Sequence, residues 1–211
     1  MYKAVVFDFD GTIIDTERHF FNTSNDFLTR HGATVMTEDM YRASVGGSGD
    51  GIAAYLRDAL GEEGLTAIAD THRDTSCTLD IFPHIQAWMA YFKQHHIPMA
   101  IATSSYREDI MPAVKALGLD KDISVVIGRE DVEAIKPEPD LYLTAVRELN
   151  YRPTDCLAIE DSASGAQAAV NAGMDVVVMT NGFTQGHDFS HIPYLEKDID
   201  TQTFLERYFK A

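Results

Sequence analysis

The sequence has few cysteines, few basic residues and no long apolar run. Two cysteines, Cys77 and Cys156, are too few for a disulfide framework. The chain has 17 Lys and Arg residues against 33 Asp and Glu residues, which gives a formal net charge of −16. It contains no cluster of basic residues, so the composition argues against binding to a nucleic-acid backbone. The longest apolar stretches, such as Val176–Met179, are far too short to span a membrane. The chain also enters a strand-like run, Tyr2–Phe7, without a signal-peptide pattern, so we expect a cytoplasmic protein with no nucleic-acid or membrane partner.

The composition is that of a globular protein, with 45% apolar and 24% charged residues in 211. Several short runs are rich in Val, Ile or Ala without alternation, which is typical of strands buried on both faces of a parallel sheet. These runs are Lys3–Phe9, Pro98–Thr103, Ile123–Gly128, Cys156–Glu160 and Asp175–Thr180. Helical patterns separate them, so the sequence predicts a doubly wound α/β sheet.

A long helical stretch interrupts this alternation. Between about Thr16 and Thr78 the apolar spacing indicates helices around Phe20, Ile52 and Leu65, with no buried strand. We interpret residues 16–79 as a helical cap domain inserted into a sheet domain formed by residues 1–15 and 80–211.

Polar and charged residues follow four of the predicted strands. Asp8 and Asp10 end the first strand, Thr103 the second, and Glu160-Asp161 the fourth, while Lys136 follows the third. The carboxyl ends of parallel strands meet at one edge of a sheet, where ligands bind. Carboxylates gathered there need a cation, and oxygen ligands of this kind suit Mg²⁺. The lysine and the hydroxyl supply what a phosphoryl group needs.

These four motifs, in this order, resemble the haloacid dehalogenase superfamily, in the branch that includes β-phosphoglucomutase and phosphoglycolate phosphatase. The resemblance covers nearly the whole chain. It implies a Rossmann-like parallel sheet of order 5-4-1-2-3 with a four-helix cap inserted after the first strand. It also implies phosphoryl transfer through an aspartyl-phosphate.

The resemblance implies a role for each matching residue. Asp8 would be the nucleophile and Asp10 the general acid and base. Thr103, helped by the N–H of Ser104, would bind a phosphoryl oxygen, and Lys136 would neutralise charge. Mg²⁺ would be held by Asp8, by the backbone carbonyl of Asp10 and by Asp161, with Glu160 contributing directly or through water.

The cap loop bears on the choice between a phosphatase and a mutase. A mutase must bind the second phosphate of a bisphosphate intermediate, yet the sequence has no Lys or Arg between Arg42 and Arg57. We therefore favour a Mg²⁺-dependent phosphatase acting on a small phosphate monoester, a sugar phosphate or similar, with a β-phosphoglucomutase-like mutase as the alternative. Gly46 and Gly47 would let the cap backbone approach the substrate, or simply form a flexible loop.

Two further classes fit less well. A dehalogenase needs neither Asp10 nor a metal, and this chain keeps its acidic residues. A phosphorelay receiver domain is shorter, lacks a helical insert and carries its acidic pair ahead of the phosphorylated aspartate. The expected partner is a small phosphorylated metabolite, and we expect a monomer.

Overall fold

A computed structural model describes residues 1–45 and 49–210. Its described α-helices are α1 (Thr16–Arg30), α2 (Glu38–Arg42), α3 (Asp50–Ser76), α4 (Pro83–Gln94), α5 (Arg107–Ala116), α6 (Asp140–Glu148), α7 (Ala163–Asn171) and α8 (Thr201–Tyr208). Its described strands are β1 (Ala4–Phe7), β2 (Met99–Ala102), β3 (Ile123–Ile127), β4 (Cys156–Glu160), β5 (Asp175–Val178) and β6 (Glu196–Lys197). Helices therefore alternate with strands from α4 to β5, as the sequence predicts.

The strands form one parallel six-stranded sheet of order β3-β2-β1-β4-β5-β6. The predicted order 5-4-1-2-3 is this order read from the other edge, with β6 added beside β5. The two-residue β6 was not predicted because it carries no apolar run. The α/β, Rossmann-like fold class is confirmed.

The sheet is buried on both faces. Alternate residues of β1 point into different apolar clusters: Val5 and Phe7 pack with Trp88 on one face, and Ala4 and Val6 pack with helices α6 and α7 on the other. This two-sided burial explains why the strand sequences show no polar alternation.

Local signals set several helix ends. Pro83 occupies the first turn of α4, where its missing N–H costs nothing. The side chain of Ser162 accepts a hydrogen bond from the N–H of Gly165 and caps α7. Helix α6 begins at Asp140, and Pro139 takes its N-cap position.

The predicted cap segment, residues 16–79, contains α1, α2 and α3. Gly61, with φ of 74° and ψ of 177°, bends α3, so the helical patterns around Ile52 and Leu65 are its two halves. A third apolar cluster holds these helices together and includes Phe183 from the loop after β5. The division into sheet and cap domains stays a prediction.

The chain enters and leaves this segment through a narrow neck. Ile14 and Ile81 form an antiparallel bridge, and the N–H of Phe82 donates to the carbonyl of Ile13 at 2.9 Å. The side chain of Asp15 caps α1 by accepting from the N–H of Arg18. The two segments that connect residues 16–79 to the sheet therefore lie side by side at the carboxyl end of β1.

Candidate active site

Three residues from three strand ends form an ion-pair network at the carboxyl edge of the sheet. Lys136 Nζ lies 2.5 Å from Asp8 Oδ1 and 2.6 Å from Glu160 Oε1. All three side chains are buried. The structure thus brings together residues 128 and 24 positions apart in the chain, as the strand-end pattern predicts.

Glu160 is held on both of its oxygens. Its Oε1 accepts from Lys136 and, at 2.7 Å, from the hydroxyl of Tyr142. Its Oε2 accepts from the backbone N–H groups of Asp161 and Ser162 and from the Ser162 hydroxyl. Because these donors occupy both oxygens, Glu160 is a fixed anchor for Lys136.

Gly165 leaves the room that Glu160 needs. A Cβ atom at this position would overlap the Glu160 carboxylate. We expect Gly165→Ala to displace that carboxylate and to lower the free energy of unfolding by about 1–3 kcal/mol, with a parallel loss of turnover. Urea denaturation and phosphate release would measure both effects.

Gly51→Ala is the matched control for that substitution. Gly51 lies in the first turn of α3, and a Cβ there meets nothing within 4 Å. We expect this variant to be as stable as the wild type or slightly more stable. Equal losses in the two variants would contradict the role given to Gly165.

Asp10 is oriented by two hydroxyl groups. Ser105 Oγ donates to Asp10 Oδ2 at 2.7 Å, and Thr103 Oγ1 donates to the same oxygen at 3.2 Å. Thr103 Oγ1 also accepts from the N–H of Ser105. The structure therefore directs Thr103 to Asp10, and its predicted bond to a phosphoryl oxygen stays a prediction. Ser105 was not predicted as a site residue, although it stands in the same strand-end motif.

Asp161 is oriented by Asn181 and Thr12. Asn181 Nδ2 donates to Asp161 Oδ2 at 2.7 Å and to the carbonyl of Gly11 at 3.0 Å, and Thr12 Oγ1 lies 3.3 Å from Asp161 Oδ1. Gly11 adopts φ of +78°, and a Cβ there would lie 2.7 Å from Asp161 Oδ2. The sequence analysis missed Asn181, which follows β5 at the same edge of the sheet.

The site holds more negative than positive charge. Burial raises the pKa of Asp8 to about 7 against the attraction of Lys136, and burial with the charges of Asp8 and Glu160 holds the pKa of Asp161 well above its usual range. Burial alone would lower the pKa of Lys136, but the two carboxylates beside it raise the pKa instead. One ammonium thus faces several carboxylates in a poorly hydrated site.

The carboxylates lie close enough together to share a cation. Asp8, Glu160 and Asp161 each offer an oxygen, and these oxygens lie within 4.8 Å of one another. Buried oxygen ligands with excess negative charge fit a hard divalent cation.

A cavity of about 470 Å³ opens over this site. Asp8, Asp10 and Lys136 line one side, and residues of α1 and α3 line the other. Ser104 also lines the cavity, and its predicted contact with the substrate stays a prediction. The predicted contacts Gly46 and Gly47 lie outside the described residues. The volume suits a small metabolite.

No helix in the described part of the chain is long and apolar enough to cross a membrane. Residues 5–179 match the model of the haloacid dehalogenase-like hydrolase family. The chain belongs to this family. The resemblance stated from the four motifs is thereby confirmed, and so is the prediction of a hydrolase.

Relatives and solved structures agree with this membership. The Bacillus subtilis protein YhcW is 33% identical over 205 residues, which is 90% of either chain. A phosphorylated carbohydrates phosphatase of Thermotoga maritima is 29% identical over 179 residues, 82% of either chain. A crystal structure of CbbY from Rhodobacter sphaeroides in complex with phosphate superposes with a TM-score of 0.81 at 25% identity, covering 96% of either chain. A crystal structure of a mutant of that protein in complex with xylulose-(1,5)bisphosphate superposes with a TM-score of 0.76 at 25% identity, covering 92% of this chain and 93% of that one.

Proposed function

We propose that this haloacid dehalogenase-like hydrolase is a Mg²⁺-dependent phosphatase that hydrolyses a small sugar phosphate or similar monoester through an aspartyl-phosphate. The observation that carries the proposal is the buried Asp8–Lys136–Glu160 network facing a metabolite-sized cavity. Relatives named as phosphatases of phosphorylated sugars support it.

The reaction assigned to Asp8 and Asp10 proceeds in two steps. First, a carboxylate oxygen of Asp8 bonds to phosphorus while the bond between phosphorus and the leaving oxygen breaks, and the Asp10 carboxyl gives its proton to that oxygen. Second, Asp10 takes a proton from water as the water oxygen attacks phosphorus, which breaks the bond to Asp8 and releases phosphate. Ser105 and Thr103 hold the Asp10 carboxyl in place for both transfers.

Lys136 keeps a positive charge beside the reacting group. Its ammonium lies 2.5 Å from Asp8 Oδ1 and is buried with it, so its field is poorly screened. We propose that it offsets the repulsion between the Asp8 carboxylate and the anionic phosphoryl group. Glu160 fixes the ammonium in position.

The donor set fits a magnesium ion. Asp8, Asp161 and the backbone carbonyl of Asp10 would hold it, while Glu160, whose oxygens already accept from protein donors, would add charge beside it. When bound, the ion would offset negative charge on the phosphoryl group and on the nucleophile. Asn181 and Thr12 orient Asp161 for this role.

We expect chelation of divalent metal to lower turnover by at least about 100-fold, since loss of such a charge removes several kcal/mol of transition-state stabilisation. Phosphate release before and after EDTA treatment measures this, with MgCl₂ restoring the rate and NaCl of equal ionic strength failing to do so. Full turnover in the chelated enzyme would rule out the metal requirement.

The structure adds one observation against mutase chemistry. Arg73 of α3 lines the cavity, but its guanidinium is paired with Asp70, Asp74 and Asp109. The charge of Arg73 is therefore largely neutralised, and this residue is poorly suited to binding a second phosphate. Incubation of the protein with a sugar 1-phosphate and a bisphosphate primer decides the question: we expect free phosphate, whereas isomerised sugar phosphate would favour the mutase.

A further inference from the structure

The turn that follows β5 packs one of its side chains against the predicted cap segment. Phe183 in this turn is 1% exposed. It belongs to the third apolar cluster, whose other described members all lie within residues 16–79. A residue that follows a strand of the sheet therefore forms part of the apolar core between α1, α2 and α3.

Three side chains of the predicted cap segment contact the ring of Phe183. The ring centroids of Tyr41 and Phe21 lie 4.9 Å and 5.5 Å from that of Phe183. The central guanidinium carbon of Arg18 lies 4.1 Å from the Phe183 centroid, and a Cβ atom at Gly182 would lie 3.2 Å from Nη2 of Arg18. Aromatic and cation–π contacts depend on both distance and orientation. Helices α1 and α2 therefore help to fix the position of the turn.

The same turn holds the side-chain amide of Asn181. Asn181 Oδ1 accepts from the backbone N–H groups of Phe183 at 2.8 Å and of Thr184 at 3.2 Å. On its other side, Asn181 Nδ2 donates to Asp161 Oδ2 and to the carbonyl of Gly11. Two donors on one side and two acceptors on the other define a single orientation of the amide. The turn that carries Phe183 thus directs the amide nitrogen toward Asp161.

Asp161 needs this support because it is buried among other carboxylates. One of its oxygens lies within 4.8 Å of oxygens of Asp8 and Glu160. Its carboxylate accepts from Asn181 at 2.7 Å and from Thr12 at 3.3 Å. Loss of the shorter bond would let repulsion from Asp8 and Glu160 turn the carboxylate away from them. Partners that orient a metal ligand typically change the metal affinity by about 10–100-fold.

We propose that Phe183 is a positioning residue for the magnesium site. Its contact with the predicted cap segment fixes Asn181, and Asn181 orients Asp161 for the ion. This inference rests on the proposed Mg²⁺ requirement. By linkage, the packing of α1 and α2 against the turn and the affinity for the ion strengthen each other.

Isothermal titration calorimetry of the metal-free protein with MgCl₂ tests the inference without any substrate. We expect Asn181→Ala to raise the dissociation constant of Mg²⁺ by about tenfold or more, and Phe183→Ala to raise it by about fivefold. The double variant should bind Mg²⁺ as weakly as Asn181→Ala and no more weakly, because Phe183 acts through Asn181.

Leu56→Ala is the matched control. Leu56 of α3 is fully buried in the same apolar cluster, so its truncation should lower the melting temperature as Phe183→Ala does. Leu56 lies outside the turn that holds Asn181, and the dissociation constant should stay within about twofold of the wild-type value. Wild-type affinity in Phe183→Ala, an equal loss in Leu56→Ala, or additive losses in the double variant would overturn the inference alone.

Hydrogen exchange of the wild type tests the same link if Phe183→Ala does not fold. Saturating MgCl₂ should slow the exchange of backbone amides in residues 19–28 of α1, the segment that carries Phe21, and leave those of α8 unchanged. No change in residues 19–28, or an equal change in α8, would overturn the inference in a wild type that binds Mg²⁺. A folded wild type that binds no Mg²⁺ would refute the proposed metal requirement as well.

Discussion

Replacing Asp8 with asparagine is expected to lower kcat by at least about 10³-fold, since the side-chain amide cannot take the place of the carboxylate in an aspartyl-phosphate. The fold should survive this change. Burial already disfavours the charged form of Asp8, and Lys136 keeps its second partner, Glu160, at 2.6 Å. Phosphate release at saturating substrate measures the first effect, and thermal melting by circular dichroism measures the second.

Asp26→Asn is the matched control, because Asp26 is an exposed residue of α1. It should retain the wild-type rate and melting temperature. Wild-type turnover in Asp8→Asn would refute the assignment of the nucleophile. Loss of folding in that variant would show instead that the Asp8–Lys136 pair is required for stability.

Replacing Lys136 with alanine is expected to lower the free energy of unfolding by about 3–5 kcal/mol, because the substitution leaves two buried carboxylates without their cationic partner. Turnover should fall with it, since the cation beside Asp8 is lost. Urea denaturation with fitted midpoint and slope measures the stability. Lys115→Ala, at an exposed position of α5, is the control and should change it little.

The stability lost in Lys136→Ala should depend on pH with a definite sign. Lys136 lowers the pKa of Asp8, so its removal raises that pKa further above about 7. The folded state then binds more protons than the unfolded state, and stability rises as the pH falls. The difference from the wild type should therefore shrink as the pH falls toward about 7, where Asp8 is protonated in the variant but still charged in the wild type, and it should level off below that, where Asp8 is protonated in both. A difference that stays constant above about pH 7 would mean that packing rather than charge is responsible.

The sequence predicts the sheet well because its strands are buried on both faces. The run Cys156–Glu160 matches β4 at both ends, and the other four runs overlap their strands with ends that differ by at most two residues. Those ends belong to turns that a pattern of apolar residues does not define. The strand-end rule likewise placed Asp8, Lys136 and Glu160 together, because it depends only on the strands being parallel.

The residues that orient the candidate catalytic groups were harder to predict. Tyr142 occupies an apolar position of α6, and nothing in its spacing shows that its hydroxyl reaches Glu160. Asn181 and Ser105 follow strands and could have been found by the same rule. Glu17 reads as an ordinary acidic residue of a helix first turn, and only the packing of α1 over the sheet reveals its place in the cavity.

The neck at Ile14 and Ile81 has a consequence for how this architecture can diversify. The chain leaves the sheet and comes back to it at adjacent points, Ile14 and Ile81. The sheet therefore does not depend on the length or sequence of the segment inserted between them. Lengthening a flexible insert costs little, about 0.6 kcal/mol for each doubling of a closed loop. Helices bearing new side chains can thus replace one another as a unit while the candidate active site at the sheet edge stays unaltered.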